Sequence, residues 1–300
     1  MTAPGDTMLE TRGLTRRFGE NTAVDGVGFP VPGGAMTGFV GGNGAGKTTT
    51  MRMVMGVLGI HEGEVRWQGR AITAADRRQF GYMPEERGLY PKQPIADQLV
   101  YLAQLRGMSG PAARAAVVEH LERFGLGDRQ GDPVEKLSLG NQQRVQIIAA
   151  LVPTPIALVL DEPFSGLDPA AVDSMADLLR EHTRRGTPVL FSSHQLDLVD
   201  RLCDRLVVMA RGKVVAQGSA DELRSGGPVR YRLVLGGDAG WTRDQRGVHV
   251  ADVDGGTALI EVLEPGAEQH VLGEAAARGP VHEFRRVVPR LSEIYQEVTA

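Results

Sequence analysis

Residues 41–49 read Gly-Gly-Asn-Gly-Ala-Gly-Lys-Thr-Thr, and Gly41, Gly46, Lys47 and Thr48 fill every required position of the phosphate-binding pattern GxxxxGK[ST]. Glycines allow consecutive backbone N–H groups to turn toward a polyphosphate, and the helix that follows adds the positive end of its dipole. The alternative is a glycine turn before an ordinary helix. It is disfavoured because the chain has only four lysines. We therefore expect a nucleotide-binding protein whose contacts in this stretch are Gly41, Gly42, Asn43, Gly44, Ala45, Gly46, Lys47, Thr48 and Thr49.

Strand-type runs alternate with helical runs around this loop. A short buried strand is predicted at 36–40, and a helix with apolar Met53, Val54 and Val57 over 49–58. The interval 95–151 has no convincing strand and is predicted to be several helices inserted into the sheet domain. We expect an α/β fold with a helical subdomain and with further buried strands at 80–83, 156–160, 189–192 and 206–209.

A change in composition near residue 225 indicates a second domain. Residues 225–228, Ser-Gly-Gly-Pro, favour a linker. We predict a nucleotide-binding domain over 1–225 and a small α+β domain over 229–300, which serves regulation or dimerisation. Its elements are predicted as strands at 229–235, 248–253, 258–262 and 281–287, a helix at 267–277 and a final helix from Pro289.

Composition excludes several classes of protein. The 300 residues are 42% hydrophobic and 23% charged, which is ordinary for a globular protein. A net charge of -4 gives no general attraction to nucleic acid or to an anionic membrane surface. The single Cys203 excludes internal disulfides, and the N-terminus lacks the apolar core of a signal peptide. We expect a protein that stays in the cytosol.

Two carboxylates follow the predicted strand at 156–160. Because the carboxyl ends of buried strands are where ligands bind in α/β sheets, Asp161 and Glu162 are expected near the phosphate loop. Alone, this pattern fits a strand running into an acidic loop. Beside a phosphate loop, we expect Asp161 and Thr48 to hold magnesium and Glu162 to polarise the attacking water.

Further segments lie in a regular order around these motifs: Phe18 within Arg-Phe-Gly, residues 81–85 (Gly-Tyr-Met-Pro-Glu), 137–144 (Leu-Ser-Leu-Gly-Asn-Gln-Gln-Arg), 165–168 (Ser-Gly-Leu-Asp) and His194 after Phe-Ser-Ser. In order and spacing they resemble the ATP-binding cassette family, the P-loop NTPase subunits of ABC transporters. The resemblance covers about residues 7–224. The sequence of residues 84–91 and that of the tail from Pro289 are similar to those of sodium-export or drug-export cassettes with a C-terminal accessory domain.

The resemblance implies roles for these segments. Lys47, Glu162 and His194 are then catalytic, and Phe18 stacks on adenine. A signature made of Ser138, Leu139, Gly140 and Asn141 contacts the ATP of a second subunit, and Asp168 lies in the dimer-interface loop. Taken singly, each has another interpretation: Phe18 as a core or hairpin aromatic, His194 as a structural histidine and Ser138 as a helix cap only.

The chain departs from the family pattern at several positions. Glu85 stands where the family has a glutamine, and we expect it to bind magnesium and to strengthen the dependence on this ion, because magnesium prefers oxygen ligands. Leu139 and Asn141 replace glycine and glutamine of the signature. The loop lysine, both carboxylates and the histidine are retained, so we expect an active ATPase.

By resemblance, the chain is the ATPase subunit of an ABC exporter. Two copies would close around two Mg-ATP and drive an integral membrane permease from the inner face of the cell membrane. The segment from Glu85 through Tyr90 toward Tyr101 would contact that permease, and no nucleic acid is involved. Two alternatives remain: a soluble cassette acting on ribosomes or DNA, disfavoured by the lack of sustained heptads, and a nucleotide sensor without turnover.

Overall fold

The computed structural model describes residues 8–86, 88–152, 154–288 and 293–296. Between Met8 and Val288 these residues form three β-sheets and nine α-helices. The chain divides into two compact units between Ser219 and Ala220, ahead of the predicted linker at 225–228. The first unit contains β1 (Met8–Phe18), β2 (Asn21–Pro32), β3 (Met36–Gly41), α1 (Lys47–Met55), β4 (Glu62–Trp67), β5 (Arg70–Ala71), α2 (Ala74–Arg78), β6 (Phe80–Met83), α3 (Ile95–Leu105), α4 (Gly110–Arg123), α5 (Leu139–Leu151), β7 (Ala157–Leu160), α6 (Pro169–Arg184), β8 (Val189–Ser193), α7 (Leu196–Leu202), β9 (Arg205–Ala210) and β10 (Lys213–Ser219). The second contains α8 (Ala220–Ser225), β11 (Val229–Leu235), β12 (Val248–Asp254), β13 (Thr257–Val262), α9 (Ala267–Arg278) and β14 (Val281–Val287).

The central sheet has the strand order β10-β9-β3-β8-β7-β6. Its strands from β9 to β6 are parallel, and β10 pairs antiparallel with β9. Every residue of β3, β7 and β8 is buried, as expected for parallel strands covered on both faces. The phosphate loop follows β3, the two carboxylates follow β7 and His194 follows β8, so all three lie at the same edge of the sheet. The predicted α/β fold is confirmed.

Helix α1 is shorter than predicted. It ends at Met55, and Gly56 follows in the left-handed conformation with φ 73°. Glycine adopts this conformation without steric cost and commonly ends helices. Val57 therefore lies beyond the helix and is 67% exposed, so its prediction as part of the apolar helix face was wrong.

A second, antiparallel sheet with the order β2-β1-β4-β5 lies in the first unit and was not predicted. Its strands β1 and β2 form a hairpin in which Phe18 pairs with Asn21. The sheet shares one hydrophobic core with α1 and the central sheet, in which Phe29 lies 5.0 Å from Phe39 between ring centroids. This shared core fixes α1, and with it the phosphate loop, between the two sheets.

The interval from α3 to α5 is helical, as predicted. Helices α3, α4 and α5 surround a hydrophobic core of their own, to which Leu99, Val117 and Ile148 contribute. Two short 3-10 turns, Gly127–Arg129 and Val134–Lys136, connect α4 to α5. Among the described helices of the whole chain, none combines the length and the apolar character needed to cross a membrane.

The second unit is a small α+β structure. Its antiparallel sheet has the order β12-β13-β11-β14, and Val271 and Ala275 of α9 join Leu233 and Ile260 of the sheet in one core. The strand and helix predictions agree with these elements to within two residues. The predicted start of the final helix at Pro289 lies outside the described residues, and residues 293–296 are helical.

Candidate nucleotide-binding site

The phosphate loop joins β3 to α1 in the conformation that its glycines permit. Gly46, the residue before α1, has φ 104°, and a Cβ atom there would lie 2.6 Å from the carbonyl oxygen of Ala23. A Cβ at Gly41 would lie 2.6 Å from the carbonyl oxygen of Met209. Side chains at either position would therefore collide with backbone. The loop lies against β2 and β9 because these two positions are glycine.

Lys47 turns back over this loop. Its Nζ donates hydrogen bonds to the carbonyl oxygens of Gly41 at 2.7 Å and Gly42 at 3.3 Å. Lys47 is 9% exposed and lines a cleft of about 780 Å³ above the loop. The other residues that line this cleft are Asn21, Ala23, Asn43, Gly44, Ala45, Gly46, Thr48, Thr49, Glu85, Leu139, Gln143, Asp161, Glu162, Ser165, Gly166 and His194.

Asp161 is held at the floor of the cleft by Ser192. The Oγ of Ser192 donates to Oδ1 of Asp161 at 2.5 Å, and it accepts from the backbone N–H of Glu162 at 2.8 Å. The Oδ2 atom of Asp161 is buried and has no hydrogen-bond partner among the described residues. A buried carboxylate oxygen without a partner, on a residue that lines the cleft, fits a magnesium ion or a water bound to it.

Glu162 has an unusual backbone. Its φ is 51°, in the left-handed region that residues with a Cβ rarely adopt. Its carboxylate Oε2 lies 3.0 Å from Nδ1 of His194, which places the two predicted catalytic residues in contact. Departures of this kind cluster at functional sites, where the surrounding structure holds them.

Glu85 contacts the C-terminal end of the phosphate loop. The Oγ1 of Thr48 donates to Oε2 of Glu85 at 3.4 Å, and both side chains line the cleft. The predicted magnesium residues Thr48, Glu85 and Asp161 therefore surround one volume. Their donor set consists of a hydroxyl and carboxylate oxygens, the ligand types that magnesium accepts.

The signature segment forms the start of α5. Ser138 is the N-cap residue, and its Oγ accepts from the backbone N–H of Asn141 at 3.4 Å. Leu139 is 60% exposed and lines the cleft, whereas Ser138, Gly140 and Asn141 do not. Further along the helix, Nε2 of Gln143 donates to the carbonyl oxygens of Glu162 at 2.9 Å and Pro163 at 3.0 Å.

Four further predicted residues do not line the cleft: Gly41, Gly42, Asp168 and Phe18. Asp168 is the N-cap of α6, where its Oδ1 accepts from the N–H of Ala171 at 2.9 Å. Phe18 is 48% exposed at the end of β1, and the guanidinium carbon of Arg16 lies 5.0 Å from its ring centroid. One face of the Phe18 ring is therefore covered by a cation.

Ser192 and Gln143 were not singled out from the sequence. Ser192 lies within the fully buried β8, and Gln143 lies among half-buried residues of α5; each of the two is at least nine-tenths buried. A serine inside the apolar run of β8 was the available signal, because buried hydroxyls require partners. The partners themselves lie 31 and 19 residues away along the chain, and no local pattern identifies them.

Comparison with known proteins agrees with this geometry. A family model described as ABC transporter matches residues 24–165, and one described as the C-terminal domain of DrrA1-3-like ATP-binding proteins matches residues 218–299. The chain is 38% identical over 291 residues to the ABC transporter ATP-binding protein YhaQ of Bacillus subtilis, covering 97% of this chain and 98% of YhaQ. It is 33% identical over 263 residues to the Nod factor export ATP-binding protein I of Burkholderia orbicola, covering 86% of each.

A solved structure described as the ATP-binding subunit of an ABC transporter has the same fold. It superposes with a TM-score of 0.68 at 32% sequence identity, covering 73% of this chain and 93% of that one. A relative at 38% identity over nearly the full length of both chains shows common family membership. The chain therefore belongs to the ATP-binding subunits of ABC transporters, the cassettes that bind and hydrolyse ATP to power transport.

Proposed function

We propose that this chain powers an exporter, and that two copies close head to tail around two Mg-ATP to drive a separate membrane permease. The observation that carries the proposal is the convergence of Lys47, Asp161, Glu162 and His194 on one cleft beside the phosphate loop. Export is supported by the relative named for Nod factor export and by the DrrA-like C-terminal region.

The phosphate end of ATP would lie over the loop. Lys47 and the backbone N–H groups of residues 43–49 supply positive charge to the outer phosphates. Thr48, Glu85 and Asp161 are the residues that would hold magnesium, which supplies further neutralisation of phosphate charge when bound. Phosphoryl transfer needs little covalent help from the protein, so this positioning contributes most of the acceleration.

Glu162 would accept a proton from the attacking water. Its carboxylate faces the cleft, and His194 at 3.0 Å holds it there. The buried hydroxyl of Ser192 orients the backbone of Glu162 relative to Asp161. The protein thus keeps the general base and the metal-binding carboxylate in a fixed relation before ATP arrives.

The second subunit would complete the site through its signature helix. Ser138 caps α5, whose N-terminus carries partial positive charge that favours a phosphate. Asp168 follows Asp161 and Glu162 in the chain and would lie at the interface between the subunits. ATP contacts both subunits only in the closed dimer, and hydrolysis removes these contacts, so the nucleotide switches the population between two states.

The permease contact would lie on the segment that precedes and includes α3. Tyr90 is 63% exposed, Tyr101 55% and Leu105 64%, which leaves large apolar side chains on the surface. Aromatic side chains are enriched in protein interfaces. This contact would place the chain at the inner face of the cell membrane. We also propose that the unit after Ser219 is an accessory domain that serves regulation or dimerisation.

The experiment is a scattering measurement of oligomeric state. Glu162→Gln should bind Mg-ATP without hydrolysing it and should accumulate as a dimer, whereas Lys47→Ala, which loses the phosphate-binding cation, should remain monomeric under the same conditions. The proposal fails if Glu162→Gln stays monomeric at saturating Mg-ATP, both alone and with the permease that co-purifies with it.

A further inference from the structure

The backbone of Glu162 requires support from outside its own segment. A φ of 51° is unfavourable for a residue with a Cβ, and such a conformation persists only when neighbouring groups determine it. Glu162 also lies two residues beyond Leu160, the last residue of β7, so the sheet ladder no longer holds it. Within its own segment, its C=O accepts from the backbone N–H of Ser165 at 3.2 Å. The other hydrogen bonds to its N–H and C=O come from other elements and contribute to keeping this conformation.

Two buried side chains from different elements, β8 and α5, hydrogen-bond to these backbone groups. Ser192 Oγ accepts from the N–H of Glu162 at 2.8 Å, and Gln143 Nε2 donates to its C=O at 2.9 Å. Gln143 also donates to the C=O of Pro163 at 3.0 Å, so one amide group fixes two consecutive carbonyls. With His194 on the carboxylate, Glu162 is held at its N–H, its C=O and its side chain.

Gln143 differs from Ser192 in the element to which it belongs. It lies on α5, five residues after the N-cap Ser138, and it is 6% exposed. Helix α5 packs in the hydrophobic core of the helical subdomain through Val145 and Ile148. The Gln143 amide therefore connects α5, whose first residues form the signature, to the backbone of Glu162.

We propose that Gln143 is a positioning residue for ATP hydrolysis, which holds the main chain of Glu162 so that its carboxylate is directed at the attacking water. The proposal rests on the role of Glu162 given above. It follows that Gln143 acts on the rate of the chemical step rather than on ATP binding, because its amide contacts the carboxylate residue and not the phosphate loop.

The chain offers a matched control on the same helix. Gln146 is also buried, at 5% exposed, but neither atom of its side-chain amide has a hydrogen-bond partner among the described residues. Methionine has nearly the shape of glutamine and no N–H donor. Gln143→Met and Gln146→Met therefore remove the same group from the same helix, and only the first removes hydrogen bonds to Glu162.

The experiment measures kcat and ATP affinity for both variants. Gln143→Met should lower kcat by about 10-fold to 100-fold, the size expected for a misplaced catalytic group, with ATP affinity within about threefold of wild type. Gln146→Met should leave both quantities within about threefold. A kcat of Gln143→Met equal to that of Gln146→Met would overturn the proposal.

A double-variant cycle separates positioning from a general structural effect. If Gln143 acts only through Glu162, adding Gln143→Met to Glu162→Gln leaves the residual turnover unchanged, because the group that was positioned is already absent. A further loss in the double variant of the same size as in Gln143→Met alone would overturn the positioning role. Full turnover of Glu162→Gln by itself would overturn both the proposed function and this inference.

Folding of the variant is checked by its thermal unfolding midpoint. Should Gln143→Met not yield folded protein, Gln143→Glu takes its place, since glutamate keeps the size and polarity of glutamine but only accepts hydrogen bonds when ionised. The same loss of kcat is expected for it at pH 8. Wild-type turnover of Gln143→Glu would contradict the proposal as directly as that of Gln143→Met.

Discussion

Ser192 donates a hydrogen bond of 2.5 Å to Oδ1 of Asp161 across the boundary between β8 and β7. The same oxygen accepts from the N–H of Glu162 at 2.8 Å, so one buried hydroxyl uses both its donor and an acceptor position. Oδ1 is thereby occupied, and Oδ2 is left without a hydrogen-bond partner among the described residues. The orientation of Asp161 depends on a serine from a neighbouring strand.

Replacing that serine should lower both activity and stability. Ser192→Ala leaves a buried carboxylate oxygen and a buried N–H without this partner, which costs about 1–3 kcal/mol. We expect kcat to fall by about tenfold or more, because Asp161 and Glu162 both lose their orientation. Ser193→Ala is the matched control on the same strand, since the Oγ of Ser193 accepts from the N–H of Gln195 at 3.0 Å and not from Glu162. Urea unfolding and ATPase assays check both effects, and equal behaviour of the two variants would contradict the assignment.

Glu85 should make ATP binding more dependent on magnesium. Its carboxylate lies against the Thr48 hydroxyl, where it repels phosphate unless a cation is present. Glu85→Gln should bind ATP in EDTA about threefold to tenfold more tightly than wild type, and the ratio of its ATP affinities with and without magnesium should be smaller than that of wild type.

The neighbouring Glu86 provides the control for this prediction. Glu86 pairs with Arg52 and its side chain is 84% exposed, so Glu86→Gln should leave the magnesium titration unchanged. An unchanged titration in Glu85→Gln as well would show that Glu85 does not contact the metal.

Phe18 should contribute to affinity for the base and not for the phosphates. One face of its ring is covered by Arg16 at 5.0 Å, and the side chain is half exposed. An aromatic contact of about 0.5–1.5 kcal/mol corresponds to roughly 2-fold to 12-fold in affinity. Phe18→Ala should weaken ATP binding by this factor, and Phe18→Tyr should not. Inorganic triphosphate serves as the control ligand, and an equal loss of its affinity would refute stacking on adenine.

His182 should make the fold sensitive to acid. Burial on α6 and the positive charge of Arg185 lower its pKa to about 4 from the usual 6.5. Between these two values the unfolded chain binds a proton that the folded chain excludes. Stability should therefore fall as the pH is lowered from 6.5 to 4, by on the order of 3 kcal/mol, and should not change further through this group below that range.

The measurement is urea unfolding at pH 7.5 and at pH 4.5. His182→Gln should lose less stability between these two values than wild type, whatever its stability at pH 7.5. His270→Gln, which changes an exposed histidine of the second unit, should retain the wild-type difference. A wild-type difference in His182→Gln would show that His182 is not responsible.

Local patterns in the sequence predicted much of the fold and many of the residues of the site. The glycine spacing before Lys47, and an apolar run that ends in Asp161 and Glu162, are contiguous signals, and the structure brings these residues to one cleft. The antiparallel sheet had no such signal. Strand β1 shifts register between Thr11 and Leu14 and again before Arg16, which breaks the alternation of apolar and polar residues that identifies a strand.

The roles of Gln143 and Ser192 could not be predicted from the sequence for a different reason. Gln143 and Ser192 act through hydrogen bonds to groups far away in the chain, and their value depends on the tertiary arrangement of α5, β7 and β8. The sequence does not predict the backbone conformation of Glu162 either, because glutamate has no preference for positive φ. Sequence periodicity reports which residues are buried, but not which buried polar groups meet.

The left-handed backbone conformation of Glu162 creates a conflict between thermal stability and catalytic activity at this one position. Glycine would adopt φ 51° without steric cost, so a screen for thermostable variants that ignored turnover would favour Glu162→Gly. That replacement would discard the carboxylate beside His194. Substitutions that aim at higher thermal stability should therefore leave position 162 unchanged.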